Sequence, residues 1–126
     1  MVNQKDVAIH TADVGITEQD RHFLQEVIRI VEEKMVDPEL SIDTLAEAMN
    51  LGRNTFYKKF TSLTDLAPVE FVRDMRLEKA KAMLDQGMDN ITEVAYHVGF
   101  NNPKYFSTCF REKFGASPKK YALQSR

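Results

Sequence analysis

Two groups of side chains have types and spacing suited to chemistry: Arg53, Asn54, Tyr57 and Lys58, and further along the chain Pro103, Lys104, Ser107, Thr108 and Arg111. In each group a pair of phenylalanines four positions apart, Phe56/Phe60 and Phe106/Phe110, marks the buried side of a helix, so the polar residues face outward. Asn is suited to bidentate pairing with adenine, Lys to guanine acceptors, and both Lys and Arg to phosphate. Taken singly, each residue also fits an ordinary solvated helix face. Other constellations are thinner. Glu93 and His97 stand at a spacing compatible with two metal ligands, but no second carboxylate–histidine pair completes a shell, and His97 reads as solvated or as a helix cap. Cys109 lies beside Phe106 and Phe110 on the inward side and reads as a small core residue. The sequence has no Gly-rich phosphate loop, nucleophile elbow or metal-ligand cluster, so we expect neither an enzyme nor a cofactor or metal site.

The helices that must position these groups can be read from apolar periodicity and capping residues. Residues 1–16 show no sustained period and read as a linker or flexible arm. Thr17-Glu18-Gln19-Asp20 resembles a capping box with Asp in place of Glu, and apolar residues at 23, 24, 27, 28, 31 and 35 continue as an amphipathic helix ending before Pro38. Ser41 caps a short helix burying Ile42, Leu45, Ala46 and Met49, which Asn50-Leu51-Gly52 breaks. A third helix over about residues 53–61 precedes a polar break at 61–65. Pro68 then opens a helix running to Gly87, which at ~1.5 Å per residue is ~27 Å long. A short helix at 91–98, another at 103–114 and a last one opened by Ser117-Pro118 complete the pattern. No strand-type run is long enough to build a sheet. The expected class is all-α, with about seven helices.

The chain repeats itself. Ile42, Leu45, Ala46, Met49 and Leu51 recur 49 residues later as Ile91, Val94, Ala95, Val98 and Phe100. After one extra residue in the second turn, Phe56, Phe60, Pro68 and Phe71 recur 50 residues later as Phe106, Phe110, Pro118 and Tyr121. Each copy reads as a short helix, a tight turn and a second helix, with Ala46 or Ala95 where two helices approach closely: a helix-turn-helix. One copy would be weak evidence for nucleic-acid binding, since many helical proteins contain such pairs. Two in-register copies joined by a spacer of fixed length are far more specific.

Charge supports the same division. The 126 residues carry 17 Lys+Arg, 19 Asp+Glu and a net charge of −2, but residues 1–40 hold four basic and nine acidic side chains, and residues 41–126 thirteen and ten. From Gly99 onward six basic residues face Glu112 alone. What matters for phosphate is where charges sit, not their total. The single cysteine allows no intramolecular disulfide, no apolar run approaches the roughly 18 residues that span a bilayer, and the N-terminus lacks a basic n-region and an h-region. A cytoplasmic chain without membrane contact is expected.

Over residues 17–121 the sequence resembles the AraC-type DNA-binding domain of bacterial transcription regulators. The resemblance is most specific in Ile91-Thr92-Glu93-Val94-Ala95-Tyr96-His97-Val98-Gly99-Phe100-Asn101-Asn102-Pro103-Lys104-Tyr105-Phe106, leading to Phe110-Arg111-Glu112-Lys113-Phe114-Gly115-Ala116-Ser117-Pro118-Lys119-Lys120-Tyr121. The first copy departs from the pattern at Asp65, where Gly is usual, and at Ala67, where Ser precedes the proline. Asp tolerates a left-handed conformation, whereas Ala67 removes a capping side chain.

The resemblance implies that the second helix of each copy enters the major groove of double-stranded DNA. It points to Asn54, Tyr57 and Lys58, and to Lys104, Ser107 and Thr108, as base-facing, and to Arg53, Asn102, Pro103, Tyr105, Arg111 and Lys113 as phosphate or flanking contacts, Asn102 also capping its helix. Tyr105 fits either a core edge or a phosphate contact. Two such helices read successive major-groove segments about 34 Å apart on one face of the duplex. The implied organisation is an arm (1–16), an N-terminal helix-turn-helix (17–67), a linker helix (68–86) and a C-terminal helix-turn-helix (87–126).

Regulators of this type usually attach the domain to a sensing or dimerisation module. Residues 1–16 and the helix sequence at 23–36 resemble the C-terminal output segment of hybrid two-component regulators, which implies an upstream receiver or sensor and RNA polymerase as a candidate partner. The alternative is a helical protein-interaction module, with Glu18, Asp20, Glu26, Glu32 and Glu33 of the first helix binding a basic partner and the repeat purely structural.

Overall fold

The computed structural model describes residues 16–125, and the arm expected over 1–16 lies outside them except for Ile16. The described residues form seven α-helices and no strand: α1 Glu18–Lys34, α2 Ile42–Ala48, α3 Arg53–Thr64, α4 Pro68–Asp85, α5 Ile91–His97, α6 Pro103–Phe114 and α7 Pro118–Gln124. The chain divides into two compact units, one of residues up to 34 with 39–75, the other of 35–38 with 76–126. The division falls inside α4, between Met75 and Arg76.

Unit 1 packs α1, α2, α3 and the first half of α4. The α1 stripe buries Phe23, Leu24, Val27, Ile28, Ile30 and Val31. Phe23, Phe56, Phe60 and Phe71 follow one another with ring centroids 6.0, 5.9 and 5.3 Å apart, so aromatic contact runs from α1 through α3 into α4. Local chemistry sets the ends of the elements. Thr17 Oγ1 accepts from the Asp20 amide at 3.0 Å, and Ser41 Oγ from the Thr44 amide at 3.2 Å. The helix expected to stop near 61 runs on to Thr64, because Thr61 and Thr64 turn their hydroxyls back onto the carbonyls of Tyr57 and Phe60, both at 2.8 Å, and so fit inside a helix. Asp65 then ends it in the left-handed region at φ 60°. Ala67 has no side-chain oxygen to cap α4, but Glu70 Oε1 reaches back to the Ala67 amide at 3.2 Å, the other half of a capping box.

Unit 2 is the second copy. Leu77, Ala80 and Leu84 of α4 pack with Val94, Ala95, Val98, Phe100, Phe106, Phe110 and Ala122. Cys109 is buried in this cluster, as its spacing implied. Asn90, Asn102 and Ser117 cap α5, α6 and α7 through the amides of Glu93, Tyr105 and Lys120. The left-handed residues repeat as well: Asn50 and Asp65 in unit 1 correspond in the repeat to Gly99 and Gly115 in unit 2.

Candidate nucleic-acid interface

In unit 1, α3 begins at the extended Gly52, which contributes no side-chain cap. Phe56 and Phe60 are fully buried, and Arg53, Asn54, Tyr57 and Lys58 all stand exposed. Arg53, Asn54 and Tyr57 meet at a cleft of about 400 Å³ that is completed by Ile42, Pro68 and Val69. The guanidinium of Arg53 lies 3.7 Å from the Asp43 carboxylate, both well exposed, so solvent screens the pair and leaves the arginine able to exchange partners. The helix contains no acidic residue.

In unit 2, Phe106, Cys109 and Phe110 face inward while Lys104, Tyr105, Thr108 and Arg111 are exposed and Ser107 is half-buried. Asn102 Oδ1 accepts from the Tyr105 amide at 3.0 Å, the capping role expected of it, and Pro103 occupies the first turn, where a missing N–H costs nothing. Thr108 Oγ1 donates to the Lys104 carbonyl at 3.2 Å, which commits its proton while the residue stays exposed and its oxygen can still accept. Tyr105 packs its ring against Phe100, centroids 6.1 Å apart, with half of its surface exposed; it sits at the core edge with its face still accessible.

Lys113 is placed differently from the other polar residues of α6. It is half-buried, its ammonium 3.7 Å from Glu78 and over the Phe114 ring at 5.6 Å. Helical spacing explains this: position 113 follows Phe110 by three and Phe106 by seven, which puts it on the border of the inward stripe rather than beside Lys104 and Arg111.

The α1 surface is internally paired. Arg29 donates from Nε to Glu26 at 2.9 Å and from Nη1 to Glu33 at 2.9 Å, and Arg21 lies 3.8 Å from Glu18. The hydrogen bond from Arg29 draws the Glu26 carboxyl below its usual range, and the same contact raises Arg29. Three of the five acids on this helix thus already have a cation on their own helix. Among the described residues no group of three or more His, Cys, Asp or Glu could hold a metal ion, and no helix is long and apolar enough to cross a membrane.

Sequence reasoning did not single out Arg76, which reaches 41 positions back along the chain to donate to a carbonyl in the connection between α1 and α2. No local pattern encodes so distant a pairing.

Two helix-turn-helix units, each presenting an acid-poor second helix, define the class: a tandem helix-turn-helix domain. The family model described as "Helix-turn-helix domain" matches residues 45–124, and the chain belongs to this AraC-type helix-turn-helix family. A protein of Formosa agariphila named a histidine kinase is 32% identical over 113 residues, 90% of this chain and 8% of that protein. The transcriptional activator RhaS of Escherichia coli O157:H7 is 33% identical over 81 residues, 64% of this chain and 29% of the activator. The chain therefore spans less than a third of the length of either relative. Among solved structures, the DNA-binding domain of the global transcriptional factor AdpA in complex with a target DNA matches with a TM-score of 0.75 and 30% identity, over 81% of this chain and 91% of that one.

Proposed function

We propose that this chain is the DNA-binding output region of a bacterial transcription regulator, and that it recognises a composite site of two half-sites, one read by α3 and one by α6. The observation that carries this reading is the repetition of one arrangement: in both units the helix after the tight turn buries two phenylalanines at matching positions and turns outward a side that carries basic and polar groups, Arg53, Asn54 and Lys58 in one, Lys104, Thr108 and Arg111 in the other. The match to a domain solved with its target DNA supports it.

Asn54, Tyr57 and Lys58 on α3 and Lys104, Ser107 and Thr108 on α6 are the proposed base readers. Arg53, Asn102, Pro103, Tyr105 and Arg111 flank them toward phosphate and sugar. Lys113 leaves this set because of its engagement with Glu78. Helix α4 is the proposed spacer between the two readers. The relative named a histidine kinase supports a two-component setting for this chain. An upstream receiver or sensor, a cytoplasmic location and RNA polymerase as a partner complete the proposal. The hydrogen bonds that Arg29 donates to Glu26 and Glu33 count against a purely protein-binding role for that helix.

Selection from random duplexes followed by electrophoretic mobility shift at two salt concentrations tests the reading. An enriched two-part motif bound more weakly as salt rises is expected. No enrichment, together with no shift at low salt, overturns it.

A further inference from the structure

Unit 2 contains a connection that the two-fold repeat does not account for. Residues 35–38, between α1 and α2, belong to this unit. Arg76 of α4 holds them there: its Nε donates to the Met35 carbonyl at 2.7 Å and its Nη2 to the Asp37 carbonyl at 2.8 Å. Burial pulls the guanidinium below its ordinary value while Asp37 works the other way. At Arg76 and Met35 the tight turn of the second helix-turn-helix comes to rest. Gly99, at φ +107°, approaches so closely that a Cβ there would lie 2.2 Å from the Met35 oxygen, 2.7 Å from Arg76 Nε and 3.2 Å from Arg76 Cζ. The next residue, Phe100, packs on Phe106 at 5.1 Å and on Tyr105 at 6.1 Å between ring centroids. Contact is thus continuous from the Arg76 guanidinium through the turn to the first turn of α6, which carries Lys104.

From this chain of contacts, and resting on the DNA-binding reading above, we propose that Arg76 is a positioning residue for DNA recognition by α6: it sets the seat on which the Gly99 turn rests and so the direction in which α6 presents its exposed face. Arg76 does this without touching DNA. Two of its nitrogens are committed to carbonyls inside the unit, and its role is to supply a planar, fixed surface and two charge-assisted bonds that a lysine reproduces only in part. The corresponding Asn50 in unit 1 has the same left-handed backbone but is exposed and carries a side chain, whereas Gly99 is buried.

The test uses the duplex obtained by selection with the unmodified chain and a second duplex in which the half-site read by α6 is scrambled; that half-site is the one at which Lys104→Ala loses base discrimination. Affinities of Arg76→Gln, Arg76→Lys and the unmodified chain are measured by fluorescence anisotropy across a salt series, with circular dichroism to show that each is folded. Arg76→Gln is expected to bind the intact duplex about tenfold or more weakly, to match the unmodified chain on the scrambled duplex, and to keep the same salt slope, with Arg76→Lys intermediate. If Arg76→Gln does not fold, Arg76→Lys is read by the same criteria. Unchanged affinity on the intact duplex overturns the proposal. So does an equal loss on both duplexes, which marks a general structural role, or a slope reduced by about one, which marks a phosphate ligand. Failure of the unmodified chain to bind any duplex overturns the DNA-binding reading and this proposal with it, and is distinct from a result in which only the Arg76 variants behave like the parent.

Discussion

Asn50 and Gly99 hold the same left-handed position in the tight turns of the two helix-turn-helix units, at φ 59° and 107°, but Asn50 is exposed while Gly99 is buried against the Met35 carbonyl and the Arg76 guanidinium. The repeated turn is therefore equivalent in backbone and unequal in surroundings. Gly99→Ala has to accept a strained φ and displace the Met35 carbonyl or Arg76, and is expected to lower stability by about 3 kcal/mol. Asn50→Gly, at an exposed position whose left-handed backbone glycine adopts freely, should change stability by less than about 1 kcal/mol in either direction. Urea unfolding of both variants checks the difference; equal effects would mean that the packing around Gly99 contributes nothing.

The starts of α3 and α6 differ in a second way. Asn102→Ala removes the bond to the Tyr105 amide and should cost about 1 kcal/mol. Gly52 has extended backbone, and the space that a Cβ would occupy there is open, so Gly52→Asn should instead add stability, by a few tenths of a kcal/mol or more. Thermal unfolding followed by circular dichroism reads both, and a loss of stability in Gly52→Asn would show that the added side chain does not reach the helix amides.

Lys58 is exposed on the acid-free face of α3. Lys58→Ala is expected to relax preference at one base pair of the first half-site by about 1–3 kcal/mol if it reads a base edge. If it meets phosphate, the loss is uniform across sequences and the slope of log K against log salt falls by up to about 0.9. Anisotropy titrations on a panel of single-base variants distinguish the two, and an unchanged affinity with an unchanged slope removes Lys58 from the interface.

Tyr121 donates its hydroxyl hydrogen bond to Asp85, and that bond holds the phenol above its ordinary value. The protonated form is favoured in the folded state, so the stabilisation is present in full below the unfolded phenol value of about 10 and is lost as pH rises through the higher folded value. The bond is expected to contribute about 0.5–1 kcal/mol. Denaturant unfolding between pH 8 and 11 should show the parent losing stability more steeply than Tyr121→Phe at the alkaline end. Parallel curves would show that the hydrogen bond has no net effect.

Much of the fold was legible because its determinants are local. Capping by Thr17, Ser41, Asn102 and Ser117, the first-turn prolines at 68, 103 and 118, and phenylalanines at four-residue spacing act within a turn or two of helix, and each falls where the sequence placed it. The end of α3 was less legible. Thr61 and Thr64 have polar side chains that suggest a break, but inside a helix their hydroxyls bond the carbonyl four residues back and the helix continues.

The sequence by itself determined the all-α class, the two-fold repeat and the outward set on each second helix, because helical periodicity couples residues three and four apart and leaves little freedom about which side is buried. Tertiary structure alone decided that Lys113 joins Glu78 and that Arg76 reaches Met35 and Asp37 to make a seat for Gly99. The residues that meet at the seat come from three separate stretches of the chain. Their pairing depends on which backbone carbonyl is left open and which side chain is long enough to reach it once the helices have packed, and neither quantity is carried by the spacing of residue types.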